Sequence, residues 1–379
     1  MADKMDGNKL GKYDLIHNET GMAASGGRLY YQTYIPADLS QASEEELYSA
    51  DVLDGVKAIY QEIGRQQGFC FFEKEFRQKD LSRRNDLFYR QEIAALLGLS
   101  DGKVELTDIF SDQPISGIKK RLPLYEYVEQ DGEAGGPKIL SGRVQVGKRR
   151  YPFRNTQIWE EEKVKRISLR EHNPPAPERI SELMKELEGY RAKEGHKETM
   201  VTAGLLCYQF LTIMPYQEDN EIWASLLLNC FLREKGVDLE YYIPFGRYFS
   251  QQSKERKEVM KQVRESGDYG HWIRFYLELA DKALAHTNST VMRLEQLRRD
   301  ALSSILKEKQ KELLKNIILY MEENPMFIIS DIEKKFEIAY NTAAKMVSIL
   351  EKHGLVKEIS KKQRYRIYCY EKYVEEILK

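Results

Sequence analysis

At 379 residues the chain exceeds what a single hydrophobic core comfortably serves, so two or three domains are expected. Lys and Arg number 59 against 60 Asp and Glu, which excludes a global field drawing the protein to nucleic acid or membrane and leaves such a partner to a local patch. With 42% hydrophobic and 31% charged residues and no biased tract, the composition is that of a folded chain.

The four cysteines, Cys70, Cys207, Cys230 and Cys369, lack CxxC spacing, and three sit in apolar surroundings. Buried thiols in a reducing cytosol are expected, rather than disulfides or a metal site. The start, MADKMDGNKLGKYDLIHNETG, has no apolar signal core, and the apolar run near Leu226 to Leu232 is too short to cross a bilayer. A cytoplasmic protein with no membrane partner is the expectation.

In chain order, SEEELYSADVLDGVKAIYQEIGRQQ places Ser43 and Glu46 in capping-box spacing ahead of Leu47, Val52, Val56, Ile59 and Ile63 at helical intervals. With NDLFYRQEIAALLGL beyond it, residues 1–112 read as a helical N-terminal region. Residues 113–304 read as a second domain. It opens on a glycine-rich, strand-like stretch between Leu122 and Ile180 that ends in the proline cluster HNPPAPE. Helical patterns resume at ERISELMKELEGY, at ETMVTAGLLCYQFLTI, and from Glu221 to Lys235, where Gly236 supplies a helix end. Met200 to Ile213 is apolar on nearly every face, which predicts a central buried helix.

A long charged helical run over residues 288–323 leads into the third region, 305–379. There IISDIEKKF reads as a short helix, EIAYN as a turn, TAAKMVSILEKHG as a second helix closed by Gly354, and LVKEISKKQRYRIYCY as two strands around a basic turn. Helix, turn, helix and hairpin is the order of a winged helix-turn-helix. On that reading Tyr340, Asn341, Thr342 and Lys345 open the recognition helix. Lys357, Lys361, Lys362, Arg364 and Arg366 decorate the hairpin as a phosphate-contacting wing for duplex DNA. Such domains also dock proteins.

Residues 212–228, TIMPYQEDNEIWASLLL, join the two most apolar helices. Taken by itself the segment is an ordinary turn: Pro215 stops one helix, Asp219 or Asn220 serves as N-cap of the next, and Glu221 complements its dipole.

The same segment resembles the loop of the Fic family, whose members transfer AMP or related phosphate-bearing groups to protein hydroxyls. The family loop reads H-P-F-x-D/E-G-N-G-R-x-x-R. Pro215, Tyr216, Glu218 and Asn220 match or nearly match. Met214 stands at the histidine, Asp219 and Glu221 at the glycines, and Ile222 and Ser225 at the arginines. YPFRNTQIW with EHNPPAPERISELMKELEGY, and DLEYYIPFGRYFSQQSKERKEVMKQVRESGDYGHWIRFYLE, are similar to the family's flanking segments, as is LYYQTYIPADL near the start.

The resemblance implies a mainly α fold: a helical Fic-like core with a small β flap, plus a C-terminal winged helix. It also implies what the departures remove. A thioether is no general base, side chains in place of glycines obstruct a phosphate nest and add negative charge, and neither Ile222 nor Ser225 neutralises a nucleotide. No intact match to the family's inhibitory pattern is present; Leu96 to Ser100 or Leu97 to Asp101 would occupy its slots.

The reading is a catalytically degenerate Fic-like protein, without a cofactor, acting as a DNA-binding or partner-binding regulator. The alternative is a diverged nucleotidyltransferase moving AMP to a protein hydroxyl, with ATP and Mg²⁺ held through Glu218 and Asn220. A third reading is a scaffold whose flap, around Ile158 to Leu169, pairs edge-on with a peptide.

Overall fold

The structure is a computed structural model that describes residues 11–17, 30–71, 81–96, 109–110, 135–146, 148–158, 173–193, 198–237, 239–360 and 366–379. Most of these residues are helical. The chain divides into two compact units. One takes Met1–Gln67, Leu124–Leu239 and Phe245–Leu284; the other takes Gly68–Pro123, Glu240–Pro244 and Ala285–Lys379.

The first unit begins with strands, where the sequence pattern predicted helix. β1 (Lys12–His17) pairs antiparallel with β2 (Tyr30–Ile35), Leu15 opposite Gln32. A lone hairpin is marginal in water. This one is tied to the proline cluster: the Asn173 side chain donates to the Gln32 carbonyl at 3.0 Å, and the Tyr34 N–H donates to the Asn173 carbonyl at 2.9 Å.

α1 (Glu44–Leu47) is a single turn before α2 (Ala50–Phe71). The capping box expected at Ser43 does not form. Ser43 makes no side-chain cap bond, and the Glu46 carboxyl is engaged by Asp268 instead of reaching back.

A short helix α4 (Gly135–Ser141) precedes the small hairpin of β3 (Val144–Val146) and β4 (Arg149–Tyr151). After it come α5 (Pro177–Ala192), α6 (Thr199–Ile213), α7 (Asn220–Glu234), α8 (Phe245–Gln251) and α9 (Ser253–Ser266). α10 (Gly270–Ser304) contributes its first turns to this unit. α6 is central as the pattern predicted: every side chain from Met200 through Ile213 is buried. Gly204 permits the closest approach, since a Cβ there would lie 2.8 Å from Ile273 and Tyr276 atoms, and its carbonyl accepts the Trp272 indole N–H at 2.7 Å.

In the second unit, α3 (Leu81–Leu96) and the later turns of α10 share one core with the C-terminal segment. Ala94, Leu294, Ile318, Met346, Leu350 and Val374 all belong to it. The C-terminal segment runs α11 (Lys311–Glu323), β5 (Met326–Ile328), α12 (Ile329–Phe336), α13 (Tyr340–Lys352), β6 (Lys357–Glu358), β7 (Ile367–Cys369) and α14 (Glu371–Leu378).

Its sheet has the order β5-β7-β6, antiparallel throughout, with Cys369 opposite both Met326 and Lys357. The helix, turn, helix and two-strand succession follows the sequence pattern. β5 and α14 are additions, the first too short to show a period of its own. Cys207, Cys230 and Cys369 are buried. No helix of the described residues is long and apolar enough to cross a membrane.

Candidate functional site

The turn between α6 and α7 is held from both sides. Met214 ends α6 in the left-handed region, φ 48° and ψ 64°, with its N–H on the Phe210 carbonyl at 2.9 Å. That conformation costs an ordinary residue roughly 1–2 kcal/mol. Arg154, only 4% exposed, offsets it. Its Nε donates to the Met214 carbonyl at 2.8 Å, its Nη2 to Ile213, its Nη1 to Thr156, and its backbone N–H to Pro215 at 2.8 Å. A cation at these carbonyls also complements the negative end of the α6 dipole.

The second half of the turn is fastened by Asn220 and Tyr216. Asn220 Oδ1 accepts the Tyr216 N–H at 3.0 Å, and Nδ2 donates to the Tyr216 carbonyl at 2.8 Å. Tyr216 stacks on Trp223 with ring centroids 4.3 Å apart, and its hydroxyl donates to the Ile139 carbonyl at 2.6 Å. Burial pushes the Tyr216 phenol well above its ordinary pKa, so it stays neutral.

The side-chain N-cap expected from Asp219 or Asn220 is not realised. Asp219 occupies the cap position at φ 61° without a side-chain cap bond, and the Asn220 amide is turned back onto Tyr216.

The remaining loop positions separate by burial. Glu218 is exposed, while Ile222 and Ser225 are 1% and 0% exposed, inside the helical core. An arginine at either position would bury a charge rather than present it to a ligand. Glu221 is not the unopposed negative charge that the sequence suggested: the Arg256 Nη2 pairs with it at 2.9 Å.

A cavity of about 190 Å³ opens beside this turn. Met214, Asn220 and Glu221 line it from the turn, and Tyr34 and Asn173 from the hairpin and proline cluster. Arg256, Lys257 and Arg264 line it from α9. Burial holds Tyr34 neutral, its phenol raised far above the usual value, with nearby Tyr208 and Tyr269 adding to the rise.

The sequence pattern did not single out the α9 residues. The signal was present in KERKEVMKQVRES, where Arg256, Met260 and Arg264 recur at four-residue intervals on one helix face, and all three are buried.

In the C-terminal segment, Tyr340, Asn341 and Lys345 are exposed along the start of α13, and Thr342 is half-buried beside them. Arg366 is exposed and pairs with Glu358 at 3.3 Å; Lys357 pairs with Glu371 at 2.9 Å. Lys361, Lys362 and Arg364 lie outside the described residues, as do the flap beyond Ile158 and Leu97 to Asp101.

Comparison with known proteins places the fold. No protein-family profile matches the sequence, and no curated protein matches it. Among solved structures, the chain is similar to a Fic family protein from Desulfovibrio desulfuricans G20. The TM-score is 0.50 at 15% identity, over 85% of this chain and 96% of that one. The chain has a mainly α, Fic-like fold.

Proposed function

We propose that this chain is a Fic-fold protein that has lost group transfer and acts as a regulator through its C-terminal segment. The observation that carries the reading is Met214. It stands where the family's general base belongs and lines the cavity with a thioether that cannot take a hydroxyl proton at neutral pH.

The other loop residues support it. Asn220 spends its amide on Tyr216, Glu221 is paired with Arg256, and Ile222 and Ser225 are core residues. These loop side chains do not supply the free oxygen ligands that a Mg²⁺-nucleotide needs.

The C-terminal order of helix, strand, two helices and two strands is read as a winged helix. It would lay the exposed face of Tyr340, Asn341 and Lys345 in the major groove of duplex DNA. Buried cysteines without CxxC spacing support action in the reducing cytoplasm.

The test is direct. The full chain is incubated with ATP labelled at the α-phosphate, and separately titrated with random duplex DNA over a range of salt. The reading expects no protein-bound label and salt-dependent DNA binding. Label incorporated by the parent and abolished by Glu218→Ala would replace it with an enzyme.

A further inference from the structure

We propose that the cavity beside Met214 binds a small doubly charged anion, a phosphomonoester or a dicarboxylate, held by Arg256, Lys257 and Arg264 of α9. The inference rests on the functional reading above, because it makes the anion a bound effector rather than a donor of a transferred group.

The charges around the cavity do not balance internally. Among the described residues three cations line it and one carboxylate, Glu221, which accepts from Arg256. Arg256 and Arg264 are each 8% exposed, and a guanidinium removed from water to that degree needs its donors satisfied. Arg256 Nη1 and Arg264 Nε are enclosed and have no hydrogen-bond partner among the described residues. Arg264 lies over the Tyr34 ring, 5.6 Å from the centroid, a contact that leaves its in-plane donors to something else.

The N-terminal turn of α7 reaches the same cavity through Asn220 and Glu221, and no side chain caps that helix. Its dipole adds further positive potential.

Size and lining narrow the ligand. About 190 Å³ is below the range of roughly 300–1,000 Å³ typical of pockets for larger organic ligands. The lining of Ile158, Pro174, Leu211 and Met260 adds apolar surface for a short carbon skeleton. This arrangement differs from a phosphate nest of loop glycines. The positive groups come from a helix about 40 residues further along the chain, at positions that also pack α9 onto its neighbours.

The experiment is calorimetric titration of the full chain with inorganic phosphate and with succinate, in buffer matched in ionic strength with sodium chloride. The parent, Arg264→Gln and Lys257→Gln are compared. Saturable binding of one equivalent of either probe is expected, with phosphate or succinate preferred according to which anion class the site takes. Arg264→Gln should weaken it about tenfold or more, in keeping with loss of a charge-assisted contact.

Lys257 is exposed, so Lys257→Gln keeps the fold and should weaken binding about threefold even if Arg264→Gln does not fold. No saturable heat with either probe up to about 10 mM, or the same affinity in parent and Lys257→Gln, overturns the proposal. AMP transfer by the same protein is scored separately: transfer together with retained phosphate binding would sink the functional reading and leave the anion site standing.

Discussion

Asn220 binds both main-chain groups of Tyr216, accepting its N–H at 3.0 Å and donating to its carbonyl at 2.8 Å. One side chain thereby closes the five-residue turn that sets Met214 and Glu221 at the cavity, and only a carboxamide supplies a donor and an acceptor in that plane. One of the residues that match the family loop is thus, in this chain, a brace.

Replacing it measures that role. Asn220→Asp keeps the acceptor, loses the donor and places a buried carboxylate against the Tyr216 carbonyl. A loss of about 1–3 kcal/mol is expected from the urea midpoint with an unchanged m-value. A change within about 0.5 kcal/mol would mean that the turn is held without the amide.

Arg154 should matter more, because it serves Ile213, Met214 and Thr156 through its guanidinium while buried to 4% exposure. Arg154→Met is expected to cost about 3 kcal/mol or more in urea unfolding, since several carbonyls lose a charge-assisted partner at once. Arg154→Lys should recover only part of this. A single ammonium cannot reach carbonyls spread as the guanidinium fork reaches them.

Met214→His should not confer AMP transfer. The base would return, yet Ile222 and Ser225 remain 1% and 0% exposed and Glu221 remains paired with Arg256, so the loop itself supplies no cation to position a triphosphate. Intact-mass measurement after incubation with Mg²⁺ and ATP checks this, and a mass gain of one AMP in that single variant contradicts it.

For the C-terminal segment, Lys345→Ala should weaken binding to all duplexes alike and reduce the slope of log affinity against log salt by roughly 0.9. Asn341→Ala should instead change which sequences are preferred. Both side chains are exposed on α13, so neither substitution should alter folding. Fluorescence anisotropy at several salt concentrations separates the two effects.

Glu46 gives a pH prediction. Burial first, then the Asp268 charge and the hydrogen bond shared with it, raises the Glu46 carboxyl above its usual value. Asp268 is fixed by accepting the Gly270 N–H at 2.6 Å. An acid whose pKa is raised by folding contributes stability that is full below its unfolded value and is lost as pH rises through its folded value. Glu46→Gln should therefore be more stable than the parent near pH 7, and no more stable near pH 4. Thermal melts at the two pH values decide it, and a constant difference between them would show that Glu46 does not titrate as described.

The helical majority of the fold was legible because periodicity is local. Met200 to Ile213 announces a helix buried all round, and Gly236 and Gly354 follow helix ends with φ of 74° and 67°. The β1–β2 hairpin was not legible, because its stability comes from Asn173, more than 130 residues away, rather than from its own pattern. Likewise β5 is a strand only because β7 lies beside it.

For the candidate site, the sequence by itself determined which chemistry is missing. Met214 cannot act as a base whatever surrounds it, since that is a property of the side chain. Tertiary structure alone decided what stands there instead. Which carbonyls Arg154 holds, that Asn220 turns back onto Tyr216, that Arg256 neutralises Glu221, and that Arg264 meets Tyr34 all join residues from separate segments. Proximity of that kind depends on how the helices pack, and charge and burial at a site are sums over neighbours that one-dimensional spacing does not specify.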